Sequence, residues 1–338
     1  MNRALSICLY SGGLDSILAI KLILDQGFKI IALRLTTPFF YERSDPAWIL
    51  EQKAVTIQNL DITAEIIDII RSPFFGYGKN LNPCLDCKIL MLKKAKSLLE
   101  EKGASFVFTG EVVGQRPMTQ MKNSLRMVEK KSGMEGFLLR PLSAQLLPLT
   151  RAEKEGLIDR AHLLGISGRS RKVQIAMAKN LGIGDYPTPA GGCRLTDPQF
   201  CHRLKFLLKE EKRLDQFDIE TLTLGRHFIL PRTENEGLKR LVVGRNKEEN
   251  FKLLSIASST HIIMNSQNTP GPTGILIGQF TKDDLVCAAS IIARYSDRGN
   301  KKSLIIQICH RGASHDSEEV KHLQVSALSE DKIESMRI

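Results

Sequence analysis

At 338 residues the chain is longer than one ordinary hydrophobic core supports and suits two domains. Hydrophobic residues make up 42% and charged residues 25%, and no stretch approaches the unbroken apolar run of a membrane span, which leaves no basis for a transmembrane protein. The net charge of +11, from 48 Lys and Arg against 37 Asp and Glu, favours phosphate-rich partners.

Near the N-terminus Arg3 precedes an apolar run, residues 5–10, but Ser11, Gly12, Gly13 and Asp15 cut that run and no small-residue cleavage site follows. A cytoplasmic protein with no membrane association is expected. Residues 5–10 read as a strand, 14–26 as a helix closed by Gly27, and 29–35 as a second strand, together a βαβ unit. The spacing then predicts a helix over 49–60, a strand over 64–70, a helix over 87–102 ended by Gly103, and a short buried strand over 105–109. After these come a strand over 138–142 and helices over 151–164 and 172–181. Strands alternating with helices imply an α/β fold, a doubly wound and mostly parallel sheet that binds ligands beyond the carboxyl ends of its strands.

The Pro- and Gly-rich stretch 185–198 breaks the rhythm, so the first domain is taken as 1–196. Beyond it, strand-like runs at 226–230, 241–244, 261–264, 274–277 and 304–308 mix with helices at 247–257 and 283–295, a second, smaller α+β domain over 197–312. Residues 313–338 are polar without clear periodicity and are expected to be a frayed tail.

The segment Ser11-Gly12-Gly13-Leu14-Asp15-Ser16 lies between the first strand and the first helix, where amides and the helix dipole converge on a bound anion. Two glycines let the backbone approach phosphate oxygens, and Ser11 and Ser16 add hydroxyls. The lysine of a Walker A loop and the spacing of a dinucleotide fingerprint are both missing. Such a cradle suits a pyrophosphate held while chemistry proceeds at the α-phosphate, with Asp15 placed to hold Mg²⁺ against the phosphates. The loop resembles the signature of the ATP pyrophosphatase (PP-loop) superfamily, whose adenine nucleotide alpha hydrolase-like members adenylate a carbonyl oxygen and release pyrophosphate.

Two further segments, Thr109-Gly110-Glu111-Val112-Val113-Gly114-Gln115 and Leu139-Arg140-Pro141-Leu142, resemble the catalytic domain of the tRNA 4-thiouridine synthetase family. So does Cys84-Leu85-Asp86-Cys87-Lys88. The resemblance implies that Gly110, Glu111 and Gln115 lie beside ATP together with Ser11, Gly12, Gly13, Asp15 and Ser16. It also implies ATP-dependent thiolation of a tRNA uridine through an adenylated intermediate, with AMP and pyrophosphate as products.

Seven cysteines containing a single tight pair do not form a secreted disulfide framework and point to metal or redox chemistry. Thiolation needs sulfur delivered as a nucleophile, and Cys84, Cys87 and Cys193 are the candidates. A cysteine pair with a distant third cysteine is similar to the iron–sulfur thiolases of the superfamily, in which three thiolates hold a [4Fe–4S] cluster and leave one iron open. A persulfide relay, with Cys87 and Cys193 as reacting thiols, and a zinc site completed by Cys201 or His202 rank below the cluster. Cys8, Cys287 and Cys309 sit in apolar runs and read as core. The sulfur donor would be a cysteine desulfurase or free sulfide.

Relatives usually carry an N-terminal RNA-binding region or flanking zinc fingers, which this sequence does not show, so the second domain is expected to supply much of the grip on tRNA. The run Leu241-Val242-Val243-Gly244-Arg245-Asn246 with Glu249-Asn250 resembles an RNA-binding module of ribosome-associated quality-control proteins. Arg226, Arg232, Lys239, Arg240 and Arg245 are suitable there as phosphate contacts by charge. An adenylating ligase acting on another carbonyl and a non-catalytic ATP- or RNA-binding protein are the competing readings.

Overall fold

The structure is a computed structural model that describes residues 4–41, 44–184, 186, 192–233, 236–297, 299–310 and 320–338. The chain divides into two compact units, Met1–Thr196 and Asp197–Ile338.

In the first unit β1 (Leu5–Leu9), α1 (Leu14–Asp25) and β2 (Lys29–Thr36) form the expected βαβ unit. There follow α2 (Ala47–Leu50), β3 (Val55–Asp61), α3 (Thr63–Arg71), α4 (Cys84–Lys102), β4 (Val107–Thr109), α5 (Lys122–Ser132), β5 (Leu138–Leu139), α6 (Arg151–Lys154) and α7 (Lys172–Asn180). The five strands lie in the order β3-β2-β1-β4-β5, and every pair is parallel. β1 is central, with Ile7 opposite Ile31 on one side and Val107 on the other. A strand flanked on both sides and covered by helices must be apolar along its length, and Ile7 and Cys8 are fully buried. Ile17 and Ile20 of α1 are also fully buried, each contributing about 2 kcal/mol by removal from water. Phe28 and Phe106 meet edge to face at 5.1 Å in the same core.

Two expectations are reversed between residues 47 and 71. The span 49–60, expected as a helix, holds only the end of α2 and then β3, because β-branched Val55, Thr56 and Ile57 pair with β2 as its edge neighbour. The span 64–70, expected as a strand, is α3: Ile66, Ile67 and Ile70 are buried at helical spacing. The Asp61 carboxylate accepts the Thr63 amide at 3.0 Å and starts the helix. The helix expected over 151–164 shrinks to α6 and a later 3-10 turn, since Gly156 takes a left-handed φ of 71° and ends it.

The second unit opens with α8 (Pro198–Glu210) and α9 (Gln216–Thr221). Its sheet combines β6 (Arg226–Ile229), β7 (Arg240–Val243), β8 (Ile262–Ser266), β9 (Gly274–Ile277), β10 (Ser303–His310) and β11 (Lys321–Ser326) in the order β11-β10-β8-β9-β7-β6, all pairs antiparallel. The helices α10 (Lys247–Ile256), α11 (Lys282–Tyr295) and α12 (Glu330–Met336) complete it. The tail expected at 313–338 is therefore structured over its last stretch. β11 pairs with β10 through Leu304↔Val325, α12 buries Ile333, and the Ile338 amide donates to the His227 carbonyl at 3.1 Å. Among the described residues no helix is long and apolar enough to cross a membrane.

Candidate active site

The loop Ser11–Ser16 leaves the carboxyl end of β1 and turns into α1 through Gly12, whose φ of 69° is open to glycine and costly for other residues. Gly13 is the N-cap of α1 and makes no side-chain cap hydrogen bond; the Ser16 amide turns back to the Gly13 carbonyl at 3.0 Å, and the Leu14 and Asp15 amides stay available to an anion. The Ser16 hydroxyl donates to the Gly13 carbonyl at 2.7 Å, which closes the turn on itself, and Ser11 Oγ stands 3.4 Å from Ser16 Oγ.

Asp15 sits on the first turn of α1 and is held from two other elements. Its Oδ2 accepts from the Gln115 amide at 2.7 Å, and Gln115 Oε1 accepts in turn from Gln174 of α7 at 3.1 Å. Arg171, the N-cap of α7, places a guanidinium nitrogen 3.6 Å from Asp15 Oδ1. Asp15 Oδ1 and Arg171 Nε are both buried and make no hydrogen bond among the described residues. A buried carboxylate oxygen and guanidinium nitrogen left unsatisfied beside uncapped helix amides fit a magnesium–triphosphate group, which would supply a cation to one and an anion to the other.

Gly110 and Glu111 follow β4 and reach in two directions. A Cβ on Gly110 would stand 2.5 Å from the Ser16 nitrogen and closer still to the Asp15 carbonyl, so the backbone of Gly110 presses directly on the phosphate loop. Glu111 does not face that loop with a free carboxylate. It is buried, pairs with Arg140 at 3.1 Å and Lys88 at 3.3 Å, and accepts from the Thr109 hydroxyl at 3.0 Å. Burial pushes its pKa up, but Lys88 and Arg140 overcome this and hold it at about 2. Arg140, itself 2% exposed, also pairs with Glu129 of α5. Of the residues expected beside ATP, Gln115 and Gly110 adjoin the loop, while Glu111 acts as an internal clamp.

Lys88 lies one helical turn beyond Cys84 on α4, so the clamp reaches the cysteines. Cys84 opens α4 and Cys87 is one turn on, which puts both thiols on one face. Cys193 is held against the chain after β2 by an antiparallel bridge to Phe40 and by the Arg194 amide donating to the Phe39 carbonyl at 2.8 Å. Burial pushes the Cys87 thiol far up, and the nearby charges of Cys193, Cys84 and Asp86 add to that. Burial also raises Cys84, against an Asn82 hydrogen bond and the charges of Arg116 and Lys88. The structure thus brings the pair and the distant cysteine into one neighbourhood, and no cysteine is in a disulfide.

Among the described residues no three His, Cys, Asp or Glu side chains converge on one ion-sized position. That is the requirement of zinc, and Cys201 and His202 lie on α8 in the second unit. Residues 187–191 of the loop before Cys193 lie outside the described residues. Cys8 is fully buried, and Cys287 and Cys309 pack against the second unit's cores.

Arg171 and Gln174 were not singled out as site residues in the sequence, and Lys88 and Arg140, though inside segments that carry the family resemblance, were given no role there; only the fold brings them to Asp15 or Glu111. The five cations expected to grip phosphate in the second unit are engaged internally. Arg232 pairs with Glu210, Lys239 with Asp284, Arg240 with Asp218 and Arg245 with Glu249, while Arg226 lies over the Tyr295 ring at 4.6 Å.

The family model described as thiamine biosynthesis protein (ThiI) matches residues 3–177, more than half of the chain, and that of the NFACT protein RNA-binding domain matches residues 225–337. Cys193 falls between the two matches. The chain is 28% identical over 159 residues to a probable tRNA sulfurtransferase of Methanobrevibacter smithii, covering 44% of this chain and 40% of that protein. It is 25% identical over 221 residues to one of Methanosarcina mazei, covering 62% and 47%. The chain thus spans less than half the length of these curated relatives. Among solved structures, the C-terminal part of the fibronectin/fibrinogen-binding protein from Streptococcus suis aligns over 81% of this chain and 96% of that one at 13% identity. Its TM-score of 0.28 is too low to carry an argument.

Proposed function

The chain belongs to the family of the thiamine biosynthesis protein ThiI, within the PP-loop superfamily, and on that premise we propose that it is an ATP-dependent sulfurtransferase that thiolates a uridine of tRNA. The observation that carries this reading is the reach of two adjacent residues: Gly110 abuts the phosphate loop and Glu111 pins the cysteine helix through Lys88. A carbonyl activated at the first group is thereby presented to sulfur held at the second. The relatives named probable tRNA sulfurtransferase and the RNA-binding match at 225–337 support tRNA as the substrate.

In the first step a uridine carbonyl oxygen bonds to the α-phosphorus of ATP, and the bond to pyrophosphate breaks. Asp15 would hold Mg²⁺, which would neutralise phosphate charge there, the Leu14 and Asp15 amides and Arg171 would take up the negative charge of the departing pyrophosphate, and Gln115 fixes the Asp15 carboxylate. In the second step sulfur adds to the activated carbon and AMP leaves. Cys84, Cys87 and Cys193 would hold a [4Fe–4S] cluster that supplies an iron without a protein ligand for carrying sulfide. The role of this chain's residues there is to keep the thiols near one another, with Cys87 buried and Cys84 and Cys193 partly exposed. The sulfur itself comes from free sulfide, or from a cysteine desulfurase whose persulfide is reduced by an external thiol, which ends as a disulfide while the outer sulfur leaves as sulfide.

Pyrophosphate release by the purified chain with ATP, Mg²⁺ and bulk tRNA tests the first step, and mass spectrometry of the recovered nucleosides tests the second. Release stimulated by tRNA together with a thiolated nucleoside is the expected result. Release with no sulfur in the nucleosides would favour an adenylating ligase, and no release would return the chain to nucleotide or RNA binding alone.

A further inference from the structure

The solvent face of α5 carries Lys122, Arg126 and Lys130 at successive four-residue steps, one stripe about 12 Å long, while Leu125, Val128 and Ser132 form the buried face. Like charges at this spacing repel one another by a few tenths of a kcal/mol per pair. Some cations elsewhere in the unit are answered, Lys21 by Asp25 and Arg151 by Glu155 among them, and others such as Lys53 and Lys179 stand singly; α5 differs in setting three in one row. Among the described residues none of the three stripe cations has an ion-pair partner. The only acid of α5, Glu129, is taken by Arg140.

Both ends of the helix lead toward the cysteines. At its C-terminal end Lys131 stands 5.3 Å over the ring of Phe74, which is 78% exposed. The Phe74 amide donates to Asp86, the residue before Cys87, at 3.2 Å. At its N-terminal end exposed Met118 approaches Gly78, and the charge of Arg116 is felt at Cys84. Tyr77 is exposed in the same loop as Phe74.

We propose that α5 and the Phe74 loop form the surface on which an unpaired RNA strand lies, with phosphates along Lys122, Arg126 and Lys130 and a base stacked on Phe74, beside Cys84 and Cys87. This rests on the tRNA reading and deepens it. Uncompensated cations in a row with an exposed aromatic ring at one end match a strand whose charge is continuous and whose bases present flat faces. An acidic protein surface answers the charges but gives the ring nothing to stack on.

The test uses the full chain with unfractionated tRNA over a range of salt. The triple variant Lys122→Gln, Arg126→Gln, Lys130→Gln keeps good helix formers and removes only charge. It should bind tRNA at least about tenfold more weakly, with a salt dependence shallower by about two in log–log slope, and bind ATP as the parent does. Phe74→Ala should weaken binding about tenfold with the salt slope unchanged, and Lys21→Gln should change neither. A triple variant with parental affinity and slope overturns the proposal while leaving the proposed thiolation standing. Parental tRNA binding by the triple variant with sulfur transfer lost only when a protein donor is used also overturns it, in favour of a protein partner. Absence of tRNA-stimulated pyrophosphate release from the parent chain refutes the functional reading instead, and the binding comparison still decides the surface.

Discussion

The side-chain amide of Gln115 donates to Asp15 Oδ2 at 2.7 Å across 100 residues of sequence. Because Gln174 holds Gln115 from α7, the aspartate is fixed in direction before any ligand arrives, with its other oxygen left unbonded beside the uncapped start of α1. Orientation set in advance removes part of the ordering cost of binding a metal–nucleotide complex.

Asp15→Asn retains the shape and an acceptor for Gln115 but removes the charge. Pyrophosphate release with tRNA is expected to fall about a hundredfold or more, with thermal stability within a few degrees of the parent chain. A variant that keeps parental release would show that Asp15 does not hold the metal.

Gly110→Ala places a methyl group into the backbone of Asp15 and Ser16, atoms that cannot rotate away. The expected cost is about 3 kcal/mol or a displaced loop. Calorimetry should show ATP affinity falling together with the stability of the first unit, whereas Gly156→Ala, with open space around it, should affect stability alone.

Glu111 has a folded pKa of about 2 against an ordinary 4.5, because Lys88 and Arg140 outweigh the opposing effect of burial. A depressed acid pKa stabilises the fold above about pH 4.5, and the contribution is lost as pH falls toward 2. It amounts to about 3 kcal/mol. Denaturation of the first unit followed from pH 6 to 3 should steepen in that window, and Glu111→Gln should flatten it while lowering stability at neutral pH. Equal pH slopes in the two proteins would refute the clamp.

His227 is buried on β6, donating from Nε2 to the Leu224 and Thr221 carbonyls, and its pKa is lowered to about 3 by burial and then by Arg203. The unfolded chain takes up a proton below about pH 6.5 that the folded one refuses. Stability therefore falls with decreasing pH between 6.5 and 3, by up to about 1.4 kcal/mol per pH unit. Hydrogen exchange of the β7 amides at pH 7 and pH 5, compared with His227→Leu, reads this directly.

Protein prepared without oxygen is expected to contain iron and show a charge-transfer absorbance, both lost in Cys193→Ala and in Cys84→Ala. Stripping the iron with a chelator should abolish nucleoside thiolation and leave tRNA-stimulated pyrophosphate release intact, since the two steps use different residues. Thiolation that persists without iron would turn the cysteines into a persulfide relay.

The residues around the phosphate loop were readable because their function is local. Ser11 to Ser16 form a turn whose glycines, hydroxyls and following helix are consecutive, so a parallel α/β sheet and an anion site could be inferred together. Five of the second unit's six strands were readable for the same reason, as apolar runs such as Leu241–Val243, whereas the polar β11, with Lys321, His322 and Gln324, was taken for a tail. Misreadings fell where period and composition disagree: Val55–Asp61 sits at the sheet edge with one face in water, and Thr63–Arg71 is short enough that its isoleucines pass for a strand.

Sequence by itself determined the strand–turn–helix that can cradle phosphate and the close spacing of Cys84 and Cys87, because both depend on a few consecutive residues; that the helix starts at Cys84 and so carries both thiols on one turn came from the structure. Only the tertiary structure decided that Gln115 and Arg171 restrain Asp15, that Glu111 is clamped between Arg140 and Lys88, and that Cys193 approaches the pair. Those are contacts between segments tens to more than a hundred residues apart. They form because buried carboxylates and guanidinium groups must find partners once the sheet has closed, and the partner is chosen by the packing and not by the local chain.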